Sequence, residues 1–207
     1  ALIDSRCDIA TMSRFMKAEE FQKAVANNVL PVAHVVAMDG VCVAVHPSNP
    51  VKSLTSAQVR DIYAGKITHW NQVGGSNTPI VVISRDTSSG TYETFENLVM
   101  KKTPMAANVE YVNANPQAQA RVRTTAGAIG YVGLGFQEGV KILAIDGIMP
   151  TRQTVANGTY PIARPLFFFT NGYPKLGSVV HKFVSFYLTE KGQELVEAKG
   201  FVPLTNY

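Results

Sequence analysis

The sequence predicts an α/β fold, because short apolar strands alternate with amphipathic helices along most of the chain. A run of β-branched residues such as 80–83 is typical of a buried strand, and residues 17–28 carry apolar side chains at helical spacing. Alternation of this kind indicates layered packing with mostly parallel sheets. A chain of 207 residues with 46% hydrophobic and 16% charged residues can bury a substantial core, as one large domain or two small ones.

The first part of the chain contains clear strand and helix signals. The predicted elements are strand 8–12, helix 17–28, strands 32–37 and 40–45, helix 55–65 and strand 80–83. Helix 17–28 places Phe21, Ala24 and Val25 on one face, which we expect to be its apolar face. The helix that follows starts with a capping box at Thr55 and has a suitable stop at Gly65.

The second part continues the alternation. The predicted elements are helix 91–101, helix 117–124, strand 127–134, strand 166–170 and helices 177–188 and 189–199. Gly200 stops the last of these helices. Pro47 and Pro50 interrupt the region after the strand 40–45, as in a linker or hinge. Trp70, the sole tryptophan, ends an apolar stretch and is expected to pack rather than to bind a ligand.

Cys7 and Cys42 are the only cysteines, and both lie in apolar, strand-like runs. Buried free thiols are the expected state. A disulfide would require neighbouring strands and an oxidising compartment, and the sequence leaves that alternative open. Neither cysteine has a histidine at metal-ligand spacing, so no metal site is predicted.

Several classes of function are excluded by composition and motif. The formal charge of +4 is mildly basic, but no Lys/Arg run stands out, so nucleic acid is not an expected partner. No apolar segment approaches the roughly 18 residues that span a bilayer. The histidines are scattered, and neither a nucleophile elbow nor a nucleotide P-loop is present. We therefore predict a protein that is not an enzyme and that carries no cofactor.

The most informative stretch is residues 84–95, Ser-Arg-Asp-Thr-Ser-Ser-Gly-Thr-Tyr-Glu-Thr-Phe. A predicted strand, a polar turn and a helix follow one another here, so backbone N–H groups and the positive end of a helix dipole converge at one point. Gly90 permits close approach of a ligand to the backbone, and Arg85 offers a forked, permanently charged clamp. Ser88, Ser89 and Thr91 add hydroxyl donors. The pattern favours a site for a tetrahedral oxyanion over an ordinary serine-capped helix.

This stretch resembles the signature of the periplasmic phosphate-binding proteins that serve phosphate ABC transporters. The resemblance extends over nearly the whole chain. It includes His46-Pro47-Ser48-Asn49-Pro50, Lys66-Ile67-Thr68-His69-Trp70, Gly127-Ala128-Ile129-Gly130-Tyr131 and Gly200-Phe201-Val202-Pro203-Leu204.

The resemblance implies a two-lobed periplasmic-binding-protein-like fold with the ligand held in a cleft between the lobes. By that analogy, residues 1–45 and 166–207 form the first lobe, and residues 46–165 form the second lobe, which carries the signature loop. The implied function is binding of inorganic phosphate and its delivery to the membrane subunits of an ABC transporter. The implied location is periplasmic or extracellular. Arg85, Ser89, Gly90 and Thr91 would hold the anion, with Ser13 closing from the first lobe.

The sequence departs from the family at its start. Members begin with a strand, a phosphate-contacting loop, a long helix and a second strand, and on the order of 45–50 residues of the first lobe have no counterpart here. The segment could have been cleaved off, could be disordered or left out of the structure, or could be supplied by another polypeptide. Because an uncovered sheet is costly, we expect another chain or chain segment to complete the first lobe.

A second departure concerns the loop that carries Ser13 and Arg14. Well-known members have Ser-Asp here, and the aspartate accepts the proton of hydrogen phosphate, which excludes sulfate. Arg14 could contact the anion or pair with a carboxylate, and the second role is favoured. Asp86 could orient Arg85 or pair with another cation. An alternative function for the whole chain is a binding-protein fold reused as a structural or assembly subunit, completed by strand addition from a partner.

Overall fold

The structure is a computed structural model that describes residues 1–205, and it divides the chain into two compact units. Unit 1 comprises Ala1–Asp39 together with the chain from Arg164 onward, and unit 2 comprises Gly40–Ala163. The sequence prediction placed the corresponding boundaries at 45/46 and 165/166. In chain order, the helices and strands are β1 Ile9–Met12, α1 Ala18–Ala26, β2 Pro31–Val45, β3 Ser53–Leu54, α2 Ser56–Tyr63, β4 Val81–Arg85, α3 Gly90–Phe95, β5 Glu110–Val112, α4 Asn115–Thr124, β6 Ala128–Gly133, β7 Lys141–Ile142, β8 Ala144–Ile145, α5 Arg152–Ala156, β9 Ala163–Asn171, α6 Val179–Phe186 and α7 Glu190–Ala198.

Unit 1 is built on a short sheet. β1 runs antiparallel to β9, with Thr11 opposite Phe168, and β9 lies next to the first part of β2. β1 stands at the end of the strand order, so its outer edge carries no strand among residues 1–205. The buried cluster below this sheet includes Ala24, Phe167 and Phe169.

Unit 2 contains the parallel part of the fold. β4 runs parallel to β5 on one side and to β6 on the other, while β6 runs antiparallel to the second part of β2. Three aromatic rings fill the space beneath β4. Phe95 stacks on Tyr131 with ring centroids 4.0 Å apart, and Tyr63 lies 4.6 Å from Phe95. All three side chains are almost fully buried, so this unit has a well-packed core of its own.

The α/β class of the prediction is confirmed, but the sheets are mixed rather than mostly parallel. Parallel pairing is found around β4 and between β3 and β8, whereas β1 pairs antiparallel with β9, and β2 pairs antiparallel with β6 and β7. The apolar runs that suggested parallel strands are equally compatible with a buried antiparallel strand, because both bury two faces.

Two strands predicted at 32–37 and 40–45 form a single strand, β2, of 15 residues. Met38 and Asp39 were expected to interrupt it. Met38 instead exchanges backbone hydrogen bonds with Val202, and the Val41 N–H donates to the carbonyl of Ile162. Because tertiary partners satisfy the backbone at this point, the polar residue does not end the strand.

The predicted apolar face of helix 17–28 is only partly buried. Ala24 is fully buried, but Phe21 is 40% exposed and Val25 is 49% exposed. The helix itself forms as α1, so the periodicity was interpreted correctly. Phe21 and Val25 therefore stay partly in water among the described residues.

Other local predictions hold. Thr55 forms the expected capping box with Gln58, and Gly65 follows the helix with a φ of +76°. Neither cysteine forms a disulfide, as expected, but only Cys42 is buried, and Cys7 is partly exposed. Trp70 is buried, and its indole N–H donates to the carbonyl of Gly127 at 2.9 Å, so it packs as expected. In the part of the chain that is described, none of the helices combines the length and apolarity that a membrane crossing requires.

Candidate anion-binding site

The signature stretch lies at the carboxyl edge of the parallel strands of unit 2. Arg85 is the last residue of β4, Asn113 follows β5 directly, and Gly133 ends β6. Parallel strands in α/β folds bring their carboxyl ends together, and ligand sites form there. The topology therefore brings these three positions to one edge.

Arg85 is buried and held in a fixed orientation. Only 8% of the Arg85 surface is exposed to solvent. One terminal nitrogen donates to Asn115 Oδ1 at 2.7 Å and the other to the Asn113 carbonyl at 3.0 Å. The same Asn115 oxygen accepts the Gly133 N–H at 3.3 Å, which ties α4 to the end of β6.

The guanidinium nevertheless keeps donors for a ligand. An arginine has five N–H donors, and the two protein contacts use one on each terminal nitrogen. Its Nε is the buried side-chain atom without a hydrogen-bond partner in the part of the chain that the structure describes. A buried, unpartnered cationic donor is costly unless a ligand satisfies it.

Tyr131 fixes the backbone from which Arg85 projects. Its hydroxyl accepts the Arg85 N–H at 3.1 Å and lies 2.8 Å from Ser84 Oγ, which in turn donates to the Arg85 carbonyl. Burial raises the pKa of the Tyr131 phenol well above its ordinary value, so the group stays neutral and acts as a hydrogen-bond relay.

The start of α3 supplies backbone donors. Ser89 is the N-cap, and its hydroxyl oxygen accepts the Tyr92 N–H at 3.3 Å. Gly90 and Thr91 are the first two residues of the helix, and within residues 1–205 their N–H groups have no acceptor. These amides are the ones that a helix start leaves for an external anion.

Ser88 and Asp86 bond to each other. Asp86 Oδ1 accepts both the N–H of Ser88, at 3.0 Å, and the Ser88 hydroxyl. These bonds lower the pKa of Asp86, with the hydroxyl contact as the main cause. Asp86 was expected to orient Arg85 or to pair with another cation. Among the described residues it forms no ion pair with either, and its contacts shape the turn instead.

Unit 1 contains the other two residues singled out from the sequence. Arg14 forms a double hydrogen bond with Glu20, at 2.7 Å to each carboxylate oxygen. Of its two predicted roles, contact with the anion or pairing with a carboxylate, these contacts correspond to the second. The pair lowers the pKa of Glu20 to about 2. The Ser13 carbonyl accepts a hydrogen bond from Arg164 at 3.0 Å.

Sequence reasoning missed the residues that position Arg85. Asn113, Asn115 and Tyr131 act through hydrogen bonds that join three different strand ends. The Asn-Pro pair at 115–116, directly after a strand, marks the start of a helix and was the available signal. Its contact with residue 85 depends on the sheet order, which the local sequence does not specify.

A clamped arginine and helix-start amides at the carboxyl edge of parallel strands are features expected of an anion-binding protein. Comparison with known proteins identifies the family to which the chain belongs. Residues 1–191 match the model of the PBP superfamily domain. Protein SphX of Synechococcus elongatus is 35% identical over 95% of this chain and 63% of its own length, and the phosphate-binding protein PstS of Borreliella burgdorferi is 30% identical over 94% and 71%.

Solved structures agree with these relatives. An ABC-type phosphate transport receptor from Vibrio cholerae matches with a TM-score of 0.85 and 30% identity, over 97% of this chain and 82% of that one. A Clostridium perfringens protein solved with bound phosphate matches with a TM-score of 0.80 and 30% identity, over 99% and 82%. The chain belongs to the PBP superfamily, within its family of phosphate-binding proteins of ABC transporters. This family consists of substrate-binding proteins, not enzymes, which confirms the predicted class. The comparisons give no support to the alternative of a structural or assembly subunit.

Proposed function

We propose that this protein binds inorganic phosphate and delivers it to the membrane subunits of an ABC transporter, on the periplasmic or extracellular side of the membrane. The observation that carries the proposal is the buried, oriented Arg85, whose Nε lacks a partner in the described chain. The names of the relatives and of the solved structures support phosphate as the anion. The chain spans 63% of the length of SphX, so the activity of the complete protein is part of the proposal.

The proposed contacts follow from the donors that remain available. Arg85 would bind two phosphate oxygens in a charge-assisted, forked geometry. The N–H groups of Gly90 and Thr91 and the hydroxyls of Ser89 and Thr91 would donate to the other oxygens. Ser89 can do this while it caps α3, because the cap uses its oxygen and leaves its proton.

The remaining residues have different proposed roles. Ser88 and Asp86 would hold the turn in shape rather than touch the anion, since the Ser88 donors are already used. For Ser13, contact of its hydroxyl with the anion stays the prediction made from the resemblance. Arg14 would act on the loop and not on the anion, because Glu20 holds its guanidinium.

Phosphate titration of two variants tests the anion site. Arg85→Ala removes the charged clamp, and we expect phosphate affinity to fall by at least roughly a hundredfold. Thr91→Val removes one hydroxyl and keeps the side-chain shape, so we expect roughly a tenfold loss. ³¹P NMR line broadening at millimolar phosphate detects even weak binding.

Arg123→Ala is the matched control, because Arg123 is an exposed arginine of the same unit. It should leave the phosphate affinity unchanged. Wild-type affinity in folded Arg85→Ala, as judged by circular dichroism, would contradict the proposed site. Equal losses in Arg85→Ala and Arg123→Ala would show a general charge effect instead.

We also propose that a further polypeptide segment covers unit 1. Thirteen of the fifteen large apolar side chains found exposed among residues 1–205 lie in this unit, and two, Tyr111 and Met149, lie in unit 2. A 530 Å³ groove in unit 1 is lined by β1, β9 and α7 residues that include Met12, Phe168 and Val196. The free edge of β1 adjoins these elements and can accept a strand.

The behaviour of the isolated chain tests this second proposal. Purified alone, the chain of 207 residues should self-associate in size-exclusion chromatography and bind phosphate weakly, because its apolar surface stays in water. A monodisperse monomer that binds phosphate tightly in calorimetry would show that unit 1 needs no further segment.

A further inference from the structure

The two protein oxygens that hold Arg85 in place carry no charge. Asn115 contributes the oxygen of a side-chain amide, 2.7 Å from one terminal nitrogen, and Asn113 contributes a backbone carbonyl, 3.0 Å from the other. Within residues 1–205 no carboxylate forms an ion pair with this guanidinium. Neutral acceptors therefore orient Arg85, and no ion pair compensates its positive charge.

Other arginines of the chain have a carboxylate partner. Arg164, in unit 1, lies 3.4 Å from a carboxylate oxygen of Asp39, and both side chains are nearly buried. Arg121, in unit 2, lies 2.8 Å from Glu110 at the surface. A buried charge normally needs such a counter-charge. Among the described residues Arg85 has none, although it is about as buried as Arg164, which indicates that a charged ligand supplies it.

The acidic residue next in the chain does not provide this counter-charge. Asp86 follows Arg85, but its Oδ1 accepts both the N–H and the hydroxyl of Ser88. The pKa of Asp86 is lowered mainly by the Ser88 hydroxyl, and the charge of Arg85 is a minor cause. Asp86 belongs to the turn and is partly exposed, so water and salt screen its charge.

The contacts of Asn115 would suit a carboxylate equally well. Its Oδ1 accepts two hydrogen bonds, one from Arg85 and one from the Gly133 N–H at 3.3 Å. An aspartate oxygen can accept the same two bonds. Asn115 is also the first residue of α4, where the helix dipole favours a negative side chain. Geometry and helix stability thus favour aspartate here at least as much as asparagine, and what asparagine adds is neutrality.

We propose that Asn115 sets the charge of the anion site as well as its geometry. It orients Arg85 through a neutral oxygen, so that the bound anion itself supplies the counter-charge of the buried guanidinium. Asn115 is thus a positioning residue that determines affinity without touching the anion. The inference rests on the proposed phosphate function.

Asn115→Asp is the first test, because it keeps the acceptor and adds a negative charge. We expect phosphate affinity in the ³¹P NMR titration to fall by at least roughly tenfold, since the guanidinium is then already paired. The midpoint of urea unfolding without phosphate should stay the same or rise. Wild-type affinity, a lower midpoint or an unfolded variant would each overturn the role of charge at this position.

Two further variants separate orientation from net charge. Asn115→Ala removes the acceptor and should weaken phosphate binding by roughly tenfold, whereas an unchanged affinity would show that Asn115 does not position Arg85. Asn108→Asp adds the same charge at an exposed asparagine of unit 2 and should leave the affinity unchanged. Equal losses in Asn108→Asp and Asn115→Asp would overturn the proposal in favour of a general charge effect. A wild-type chain that binds no phosphate would instead contradict the proposed function.

Discussion

The two units of this chain differ in how completely each one covers its own apolar surface. In unit 2 the aromatic cluster of Tyr63, Phe95 and Tyr131 is almost fully buried under β4. In unit 1 the helix faces carry large side chains in water, among them Phe183, which is 45% exposed on α6. Both units have the same kind of sequence pattern, with amphipathic helices next to apolar strands.

This difference shows that an amphipathic pattern specifies the apolar face of a helix but not the surface that buries it. In unit 2 the partner surface is present in the chain, so the pattern and the burial agree. In unit 1 the helices form although the described residues cover their apolar faces only partly. Three pairs of matched variants measure how far this difference in burial affects the free energy of unfolding.

The largest contrast should come from the aromatic side chains. Phe95→Ala removes a fully buried ring that stacks on Tyr131, and we expect the free energy of unfolding to fall by about 3–5 kcal/mol. Phe183→Ala removes a ring that is almost half exposed and should cost less than about 1 kcal/mol. Urea denaturation measures both, and similar losses would show that unit 1 packs Phe183 as tightly as unit 2 packs Phe95.

A smaller effect is expected from two helix caps. Thr55 caps α2 in unit 2, and Thr189 caps α7 in unit 1, each by accepting a backbone N–H. Replacing either by alanine should cost about 1 kcal/mol. Because unit 1 leaves more apolar surface in water, we expect it to unfold at a lower urea concentration than unit 2. Thr189→Ala should therefore shift the transition of unit 1, and Thr55→Ala the later transition of unit 2.

Trp70 makes this comparison measurable, since it is the sole tryptophan and is buried in unit 2. Its fluorescence follows unit 2, while circular dichroism follows both units. Coincident transitions by the two probes in both cap variants would show that the units unfold together.

The smallest effect should come from two ion pairs. Arg14 and Glu20 pair in unit 1 with side chains 29% and 32% exposed, and Arg121 and Glu110 pair in unit 2 with side chains 44% and 42% exposed. At pH 7 we expect Glu20→Gln to cost less than about 1 kcal/mol and Glu110→Gln less than about 0.5 kcal/mol, because the more exposed pair is better screened.

The pH dependence of the first pair has a definite sign. The pKa of Glu20 is lowered from 4.5 to about 2, mainly by its hydrogen bond to Arg14. The stabilisation is therefore complete above pH 4.5 and is lost as the pH falls toward 2. The stability difference between wild type and Glu20→Gln should shrink over that interval, and a difference that stays constant between pH 5 and pH 2 would contradict it.

The sequence alone predicted the features that depend on neighbouring residues. The capping box at Thr55, the stop at Gly65 and the strand-turn-helix around Gly90 are all local, because each depends on bonds within a few residues. The family resemblance also rested on contiguous stretches, of which residues 84–95 are the most informative.

The tertiary structure alone decided which of these donors are available. Arg85 depends on Asn115 and Asn113, which approach it only because β4, β5 and β6 are neighbours in the sheet. The continuity of β2 across Met38 likewise depends on Val202, more than 160 residues away. Hydrogen bonds between distant segments satisfy groups that the local pattern leaves open, and only the folded chain determines which groups remain for a ligand.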